Sequence, residues 1–343
     1  MPVNDEANVP NSRHPKDLKG LLKFCMETTR NEDAPVDIPS TYKQMDPERM
    51  KWLEEFLNSA SVDVIQQLTL CISTLSEDKV LNPDIQEEDL ADQELAFGAA
   101  EDWTGQIDMA NNFHKLGGFQ ALEMCMRSPH SLCRQGACHL VGELTQNNTY
   151  CQGKVVEEEF LPKLLTILNS DPDGSARVKA MYAISCSIRA FEPAYEAFCG
   201  LDGFKQVCVS YDQANEKLKT KLSYFLLAML RERASFLSTC LALDVPKILV
   251  RLMSQDTSPR ISSDCETHAQ LLKAIVSAHP STGNDIATQH PNFTEHLRQT
   301  VEWAEGKPEF YDYCILALDL IEICGSALTD DEKTQRCNLQ AMI

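Results

Sequence analysis

Apolar residues along this chain recur every three to four positions, the spacing of one helix face. Residues 16–29 (KDLKGLLKFCMETT) place Leu18, Leu21, Leu22 and Cys25 on one side of a short amphipathic helix. Residues 30–44 carry Pro35 and Pro39 among acids and hydroxyls and read as a linker. Asp46-Pro47-Glu48 then has the chemistry of a helix start: Asp as N-cap, Pro in the first helical position, Glu in the first turn. That helix carries Trp52, Phe56 and Leu57. A further helix is expected near 61–75. The acidic stretch from Asp84 to Glu94 suits the positive end of the next one.

From about residue 105 the pattern repeats. GGFQALEMCM, EFLPKLLTIL, DGFKQVCV and DVPKILVRLM each begin with a helix-start residue and continue as an apolar stripe. Aligning Phe119, Leu161, Phe204 and Val245 gives spacings of 42, 43 and 41. A second set, RQGACHLVGEL, RVKAMYAISCSI and KTKLSYFLLAML, aligns on Arg134, Arg177 and Lys219 with spacings of 43 and 42. A weaker member, ETHAQLLKAIV, follows an insertion at SQDTSPRISSD. A helical period near 42 residues, with about three helices per unit, falls in the armadillo/HEAT range. One unit cannot bury its apolar face alone, so units stack into a superhelix with an extended concave face. The expected fold is all-α: an armadillo-like helical-repeat solenoid with about four central repeats and atypical capping helices at 46–104 and about 283–325. Residues 1–45 are expected to be mostly disordered around the 16–29 helix. The solenoid is expected over 46–325, with a flexible tail over 326–343.

Composition narrows the function. Apolar residues make up 43% of the 343, enough for a sizeable core. Only 14 residues are Gly, too few for a loop-rich β fold. The 51 Asp and Glu against 31 Lys and Arg give a net charge of −20, which argues against nucleic-acid or anionic-membrane binding. No apolar run suits a membrane span, and the N-terminus lacks the apolar core of a secretion signal. A cytoplasmic location is therefore expected, with the 14 cysteines as reduced thiols packed like small hydrophobes.

The local signatures of nucleotide, zinc-protease and esterase chemistry are missing. The nearest approach to a metal cluster is His130, Cys133, Cys138 and His139, but the cysteines are five apart and His139 points about 100° away from Cys138 on a helix. Cys265 and His268 share a face, yet two ligands make no site. No catalytic residue, metal or cofactor is expected. Glu157-Glu158-Glu159 reads as charge at the start of the following helix. Trp52, Trp103 and Trp303 are scattered and form no ladder.

One feature resists a structural reading. Arg134, Arg177 and Lys219 occupy the same place near successive helix starts, where a cation is disfavoured by roughly 0.3–1 kcal/mol. Lys179 and Lys221 accompany the last two. Two explanations compete: a salt-bridge ladder to acids of neighbouring repeats, or a basic ridge that grips an acidic protein surface. Beside them lie amide pairs, Asn111-Asn112 and Asn147-Asn148, suited to helix caps or to polar recognition.

The segments Q-I-D-M-A-N-N-F-x-K-L-G-G, G-x-x-x-Q-N-N, R-V-K-A-M-Y-A-I-S-C-x-I-R, L-D-G-F and K-L-K-T-K together resemble the HspBP/Fes/Sil family of armadillo-type nucleotide exchange factors for heat-shock 70 kDa chaperones. K-D-L-K-G-L-L-K-F and P-E-R-M-K-W-L-E-E-F resemble its cytosolic HspBP branch. The resemblance runs from about residue 16 to 280. It implies that the concave face holds one lobe of the chaperone's ATPase domain, which is incompatible with a closed nucleotide cleft, so ADP leaves. It implies no enzyme activity and a monomer acting on a protein partner. By the same resemblance the contact residues are Asp108, Ala110, Asn111, Asn112, Asn147, Asn148, Arg177, Lys179 and Lys219. Arg177 is expected to be the hot spot, so that Arg177→Ala weakens binding and leaves the fold intact. The 16–29 helix is either a detachable segment acting on the chaperone or a helix docked on the first repeat. A general armadillo scaffold for another partner is the alternative function.

Overall fold

The structure is a computed structural model and describes residues 46–60, 63–254 and 264–342. The expected 16–29 helix and its linker lie outside the described residues. These fall into two compact units, the first holding α1 (Pro47–Ala60) and the second running from Asp63 onward. In α1 the expected start is present: the Glu48 N–H donates to Asp46 Oδ1 at 3.3 Å.

The second unit opens with α2 (Val64–Leu75) and α3 (Ala91–Thr104), linked through 3-10 turns at Asp78–Leu81 and Glu87–Leu90. Three-helix repeats follow. They are α4 (Ile107–Lys115), α5 (Gly118–Met126) and α6 (Ser131–Thr145); α7 (Thr149–Glu157), α8 (Phe160–Ser170) and α9 (Gly174–Ile188); α10 (Glu192–Gly200), α11 (Gly203–Ser210) and α12 (Glu216–Glu232); α13 (Phe236–Ala242), α14 (Val245–Ser254) and α15 (Cys265–Ala278). No strand occurs among the described residues.

The helix-start residues of the sequence repeat are the corners between first and second helices. Gly117, Glu159, Asp202 and Asp244 sit there with φ of 91°, 56°, 51° and 51°. Glycine takes this left-handed conformation without strain, and short polar residues tolerate it better than branched ones. Two third helices, α9 and α12, start on side-chain caps: Asp173 accepts from the Ala176 N–H at 2.7 Å, and Asn215 from the Leu218 N–H at 2.9 Å. The stripes bury Phe119, Phe160, Phe198, Phe225 and Phe236 completely or nearly so.

Third helices pack on one another from repeat to repeat. Glycines let them approach closely: a Cβ on Gly136 would lie 2.5 Å from the Phe97 ring, and one on Gly142 would lie 2.5 Å from the Tyr182 ring. The third helices thus form one continuous layer, taken as the inner face of the solenoid. The thirteen described cysteines are free thiols, and ten of them are buried. Burial pushes the thiols of Cys151, Cys208 and Cys240 up to about 12.

The C-terminal part departs from expectation twice. The segment read as an atypical cap is a fifth three-helix unit: α16 (Pro280–Gln289), α17 (Phe293–Trp303) and α18 (Tyr311–Ile323). The expected flexible tail forms α19 (Asp330–Met342). Its start is a reciprocal capping box: the Thr329 N–H donates to Glu332 Oε2 at 2.7 Å, and the Glu332 N–H donates to Thr329 Oγ1 at 3.2 Å. Leu339 is buried, Arg298 pairs with Glu332 at 2.8 Å, and Arg336 bridges Asp319 and Glu322 at 3.2 and 2.6 Å.

Candidate protein-binding face

Arg134, Arg177 and Lys219 are each the fourth residue of a third helix, and His268 takes that place in α15. Each meets a different fate. Arg134 forks onto Asp171 of the next repeat, with Nε at 2.6 Å and Nη2 at 2.9 Å, and its Nη1 reaches the Ser128 and Pro129 carbonyls. This is the inter-repeat salt bridge among the two readings of the stripe.

Arg177 is 7% exposed. Its Nε donates to the Leu168 carbonyl at 2.7 Å, Nη1 to that of Gln213 at 2.8 Å and Nη2 to that of Ser210 at 3.4 Å. The guanidinium is spent on acceptors of its own and the following repeat. Burial lowers its pKa, but an arginine stays charged, so the carbonyls receive charge-assisted bonds. Little of this side chain is left at the surface to meet a partner.

Lys219 is partly buried and forms no ion pair among the described residues. It lies close enough to His268 for its charge to matter. Burial above all depresses the His268 pKa below the usual 6.5; Asp264 opposes the fall and Lys219 adds to it. A histidine neutral in the fold and protonated once unfolded makes stability drop as pH falls below about 6.5, by up to about 1.4 kcal/mol per unit. Urea midpoints compared between pH 7.5 and 5.5 should therefore fall less for His268→Gln than for the parent chain. Equal falls would show that His268 does not carry this dependence.

The amide residues gather at one edge. Asn148, 4% exposed, caps α7 through the Cys151 N–H at 3.3 Å and donates to Asn111 Oδ1 at 3.1 Å. Asn147 is exposed in the left-handed conformation, φ 54°, ending α6. Ala110, Asn147 and Asn148 line a groove of about 230 Å³ with Glu101, Ile107 and Glu143. Ala110 and the hydrogen-bonded Asn148 are buried at it, while Asn147 and Gln146 offer exposed amides there. Asp108 is exposed in the first turn of α4, and Asn112 is half-buried on the same helix. Glu157–Glu159 are engaged locally: Glu158 holds His114 Nε2 at 2.7 Å, Glu157 pairs with Lys154, and Glu159 makes the corner.

Sequence reasoning named Lys179 and Lys221 but missed the rings that follow them on the third helices. Five and eight residues after each helix start come Lys179 and Tyr182 in α9, and Lys221 and Tyr224 in α12. The repeated K-x-x-Y was visible in the aligned segments. The corresponding ring in α6 is His139. Lys221 Nζ stands 5.8 Å from the Tyr182 ring centre, and the His139 and Tyr182 rings are 5.7 Å apart. The Tyr182 hydroxyl donates to Glu143 Oε1 at 2.7 Å. Burial and that carboxylate push its pKa well above the ordinary phenol value. Tyr224 is 54% exposed. The inner face is thus acidic around Glu101 and Glu143 and basic around Lys179 and Lys221, with a row of rings between.

The metal-like sequence cluster disperses. Cys133 and Cys138 are fully buried, His130 Nε2 bonds the Asn82 carbonyl at 2.8 Å, and His139 lies on the inner face.

These features define an armadillo-type solenoid with a charged, ring-bearing inner face. An engineered protein described as a computationally designed armadillo repeat protein for modular peptide recognition superposes with a TM-score of 0.53 over 75% of this chain and 99% of its own, at 13% identity. The family described as SIL1/FES1/HPBP1 C-terminal domain matches residues 109–246, and that described as nucleotide exchange factor Fes1 matches residues 18–113. The chain belongs to this SIL1/FES1/HPBP1 family. It is 28% identical over 332 residues to Hsp70-binding protein 1 of Macaca fascicularis, covering 94% of this chain and 87% of that one. It is 29% identical over 182 residues to Hsp70 nucleotide exchange factor FES1 of Coccidioides immitis (strain RS), covering 52% and 81%. No helix among the described residues is long and apolar enough to cross a membrane.

Proposed function

We propose that this protein is a nucleotide exchange co-chaperone that binds the ATPase domain of a heat-shock 70 kDa chaperone through its concave face and promotes ADP release. The observation that carries this reading is the similarity to Hsp70-binding protein 1 over nearly the whole chain. The inner face supports it with the exposed Lys221 and Tyr224 and the partly exposed Lys179 in register, and, at the amide edge, with the exposed Asp108 and Asn147 and the partly exposed Asn111 and Asn112. Lys219 adds its partly exposed ammonium. Ala110 and Asn148 shape the groove from below. Arg177 is absent from this set.

The work done is differential binding. A rigid solenoid that fits the open ATPase domain better than the closed one shifts the chaperone toward opening, and the nucleotide loses its contacts. This needs no covalent chemistry and no bound cofactor. The protein acts as a cytoplasmic monomer in this reading. Release of a fluorescent ADP analogue from a cytosolic chaperone of this class should accelerate in proportion to added protein. No acceleration, together with no binding in a pull-down, would leave the solenoid as a scaffold for another partner.

A further inference from the structure

We propose that Glu101, His139 and Glu143 form a binding site for one Zn²⁺ ion on the inner face of the solenoid, at the wall of the groove beside Asn147. His139 and Glu143 are spaced i, i+4 on α6, and Glu101 comes from the adjacent α3. One ligand atom from each can be chosen so that all three lie within 4.8 Å of one another.

The contacts are longer than those of a hydrogen-bonded ion pair, and they use opposite nitrogens of the ring. His139 Nε2 is 3.5 Å from Glu101 Oε2, and His139 Nδ1 is 3.7 Å from Glu143 Oε1. Hydrogen-bonded partners would sit at about 2.7–2.9 Å. Two ligands of a tetrahedral zinc, each about 2.0–2.1 Å from the metal, are about 3.4 Å apart. Neither ring nitrogen of His139 makes a hydrogen bond, and Nδ1 is buried without one. Such an orphan is costly in a folded interior. A single ion would take one ring nitrogen, so the imidazole or a carboxylate must turn for all three groups to share it.

Charge points the same way. No Lys or Arg pairs with Glu101 or Glu143 among the described residues, although the two carboxylates face one imidazole. A divalent cation neutralises them. The Tyr182 hydroxyl, bonded to Glu143 Oε1, holds that carboxylate in place, as outer partners of metal ligands do. Both carboxylates also line the 230 Å³ groove, which leaves the fourth zinc position open to water or to an incoming group. An imidazole with two carboxylates favours zinc over calcium or magnesium, which take all-oxygen cages.

The site is independent of the exchange-factor reading, so its test reads metal binding directly. ZnCl₂ is titrated calorimetrically into the reduced full chain, and Co²⁺ is added in parallel as a spectroscopic probe. One zinc per chain should bind. Glu101→Gln and His139→Ala should each weaken it at least tenfold with helicity and melting retained. Cys186→Ser, a change at the nearest partly exposed thiol, should leave it intact. The Co²⁺ complex should show weak ligand-field bands without thiolate charge transfer. Absence of zinc binding, equal affinity in Glu101→Gln, or thiolate absorption lost with Cys186→Ser would each overturn the proposal. Glu101 is well exposed, so its glutamine variant tests the site even if His139→Ala perturbs packing.

Discussion

Replacing Arg177 with alanine should destabilise the protein by about 3 kcal/mol or more, placing it among the most damaging single substitutions in the chain. The guanidinium satisfies three carbonyls, on Leu168, Ser210 and Gln213, and so ties the end of α8 to α9 and to the turn after α11. Without it three acceptors lose charge-assisted donors, at about 1–3 kcal/mol each, offset in part by water entering the space. Arg177→Met fills the volume but donates nothing and should lose nearly as much. Arg177→Lys should recover part, since one ammonium cannot reproduce a planar fork. Urea midpoints with helical signal as the probe measure this. Binding to the chaperone should fall only as far as the folded fraction falls. An unchanged midpoint with weakened binding would return Arg177 to the surface role that its position in the sequence suggested.

The largest effect on binding is expected from reversing the basic end of the inner face. Lys179→Glu with Lys221→Glu should weaken the chaperone complex by tenfold to a hundredfold, about 1.4–2.8 kcal/mol, chiefly at low salt. Both ammonium groups lack an ion-pair partner among the described residues, and Lys221 only stands over the Tyr182 ring. Their loss should therefore leave melting nearly unchanged, in the range of about 0.5 kcal/mol expected for surface substitutions. ADP release and direct binding at two ionic strengths are the readouts. Unchanged affinity at both would remove this ridge from the contact surface, while a large fall in melting temperature would show that the lysines hold repeats together.

Much of the architecture was legible because repetition amplifies weak local signals. A lone apolar stripe at 119, 161, 204 or 245 is only a helix; the same stripe every 41–43 residues is a solenoid. The corner residues were legible as helix starts, though not as left-handed turns, since Glu159, Asp202 and Asp244 do not announce φ above zero as Gly117 does. The fifth unit was hidden because 280–323 preserves the helices without the motif. Helix α19 was hidden by its charge-rich composition, although T-D-D-E at 329–332 spells out its capping box.

The candidate face was read less well, and the reason is geometric. Position in a repeat gives register, and register is what Arg134, Arg177 and Lys219 share. Register does not say which side of the helix meets another helix. About 140–200° of helix rotation separates the column at the fourth residue, which points into the repeat boundary, from Lys179, Tyr182, Lys221 and Tyr224 on the inner face. The sequence by itself determined the all-α repeat architecture, the register of its central repeats and the family, because these follow from local periodicity and ordered motifs. Only the tertiary structure decided that Arg134 takes a carboxylate, that Arg177 takes carbonyls and that Lys219 takes neither. Those outcomes depend on which atoms of the next repeat arrive at the end of each side chain, and that is set by how closely the third helices pack.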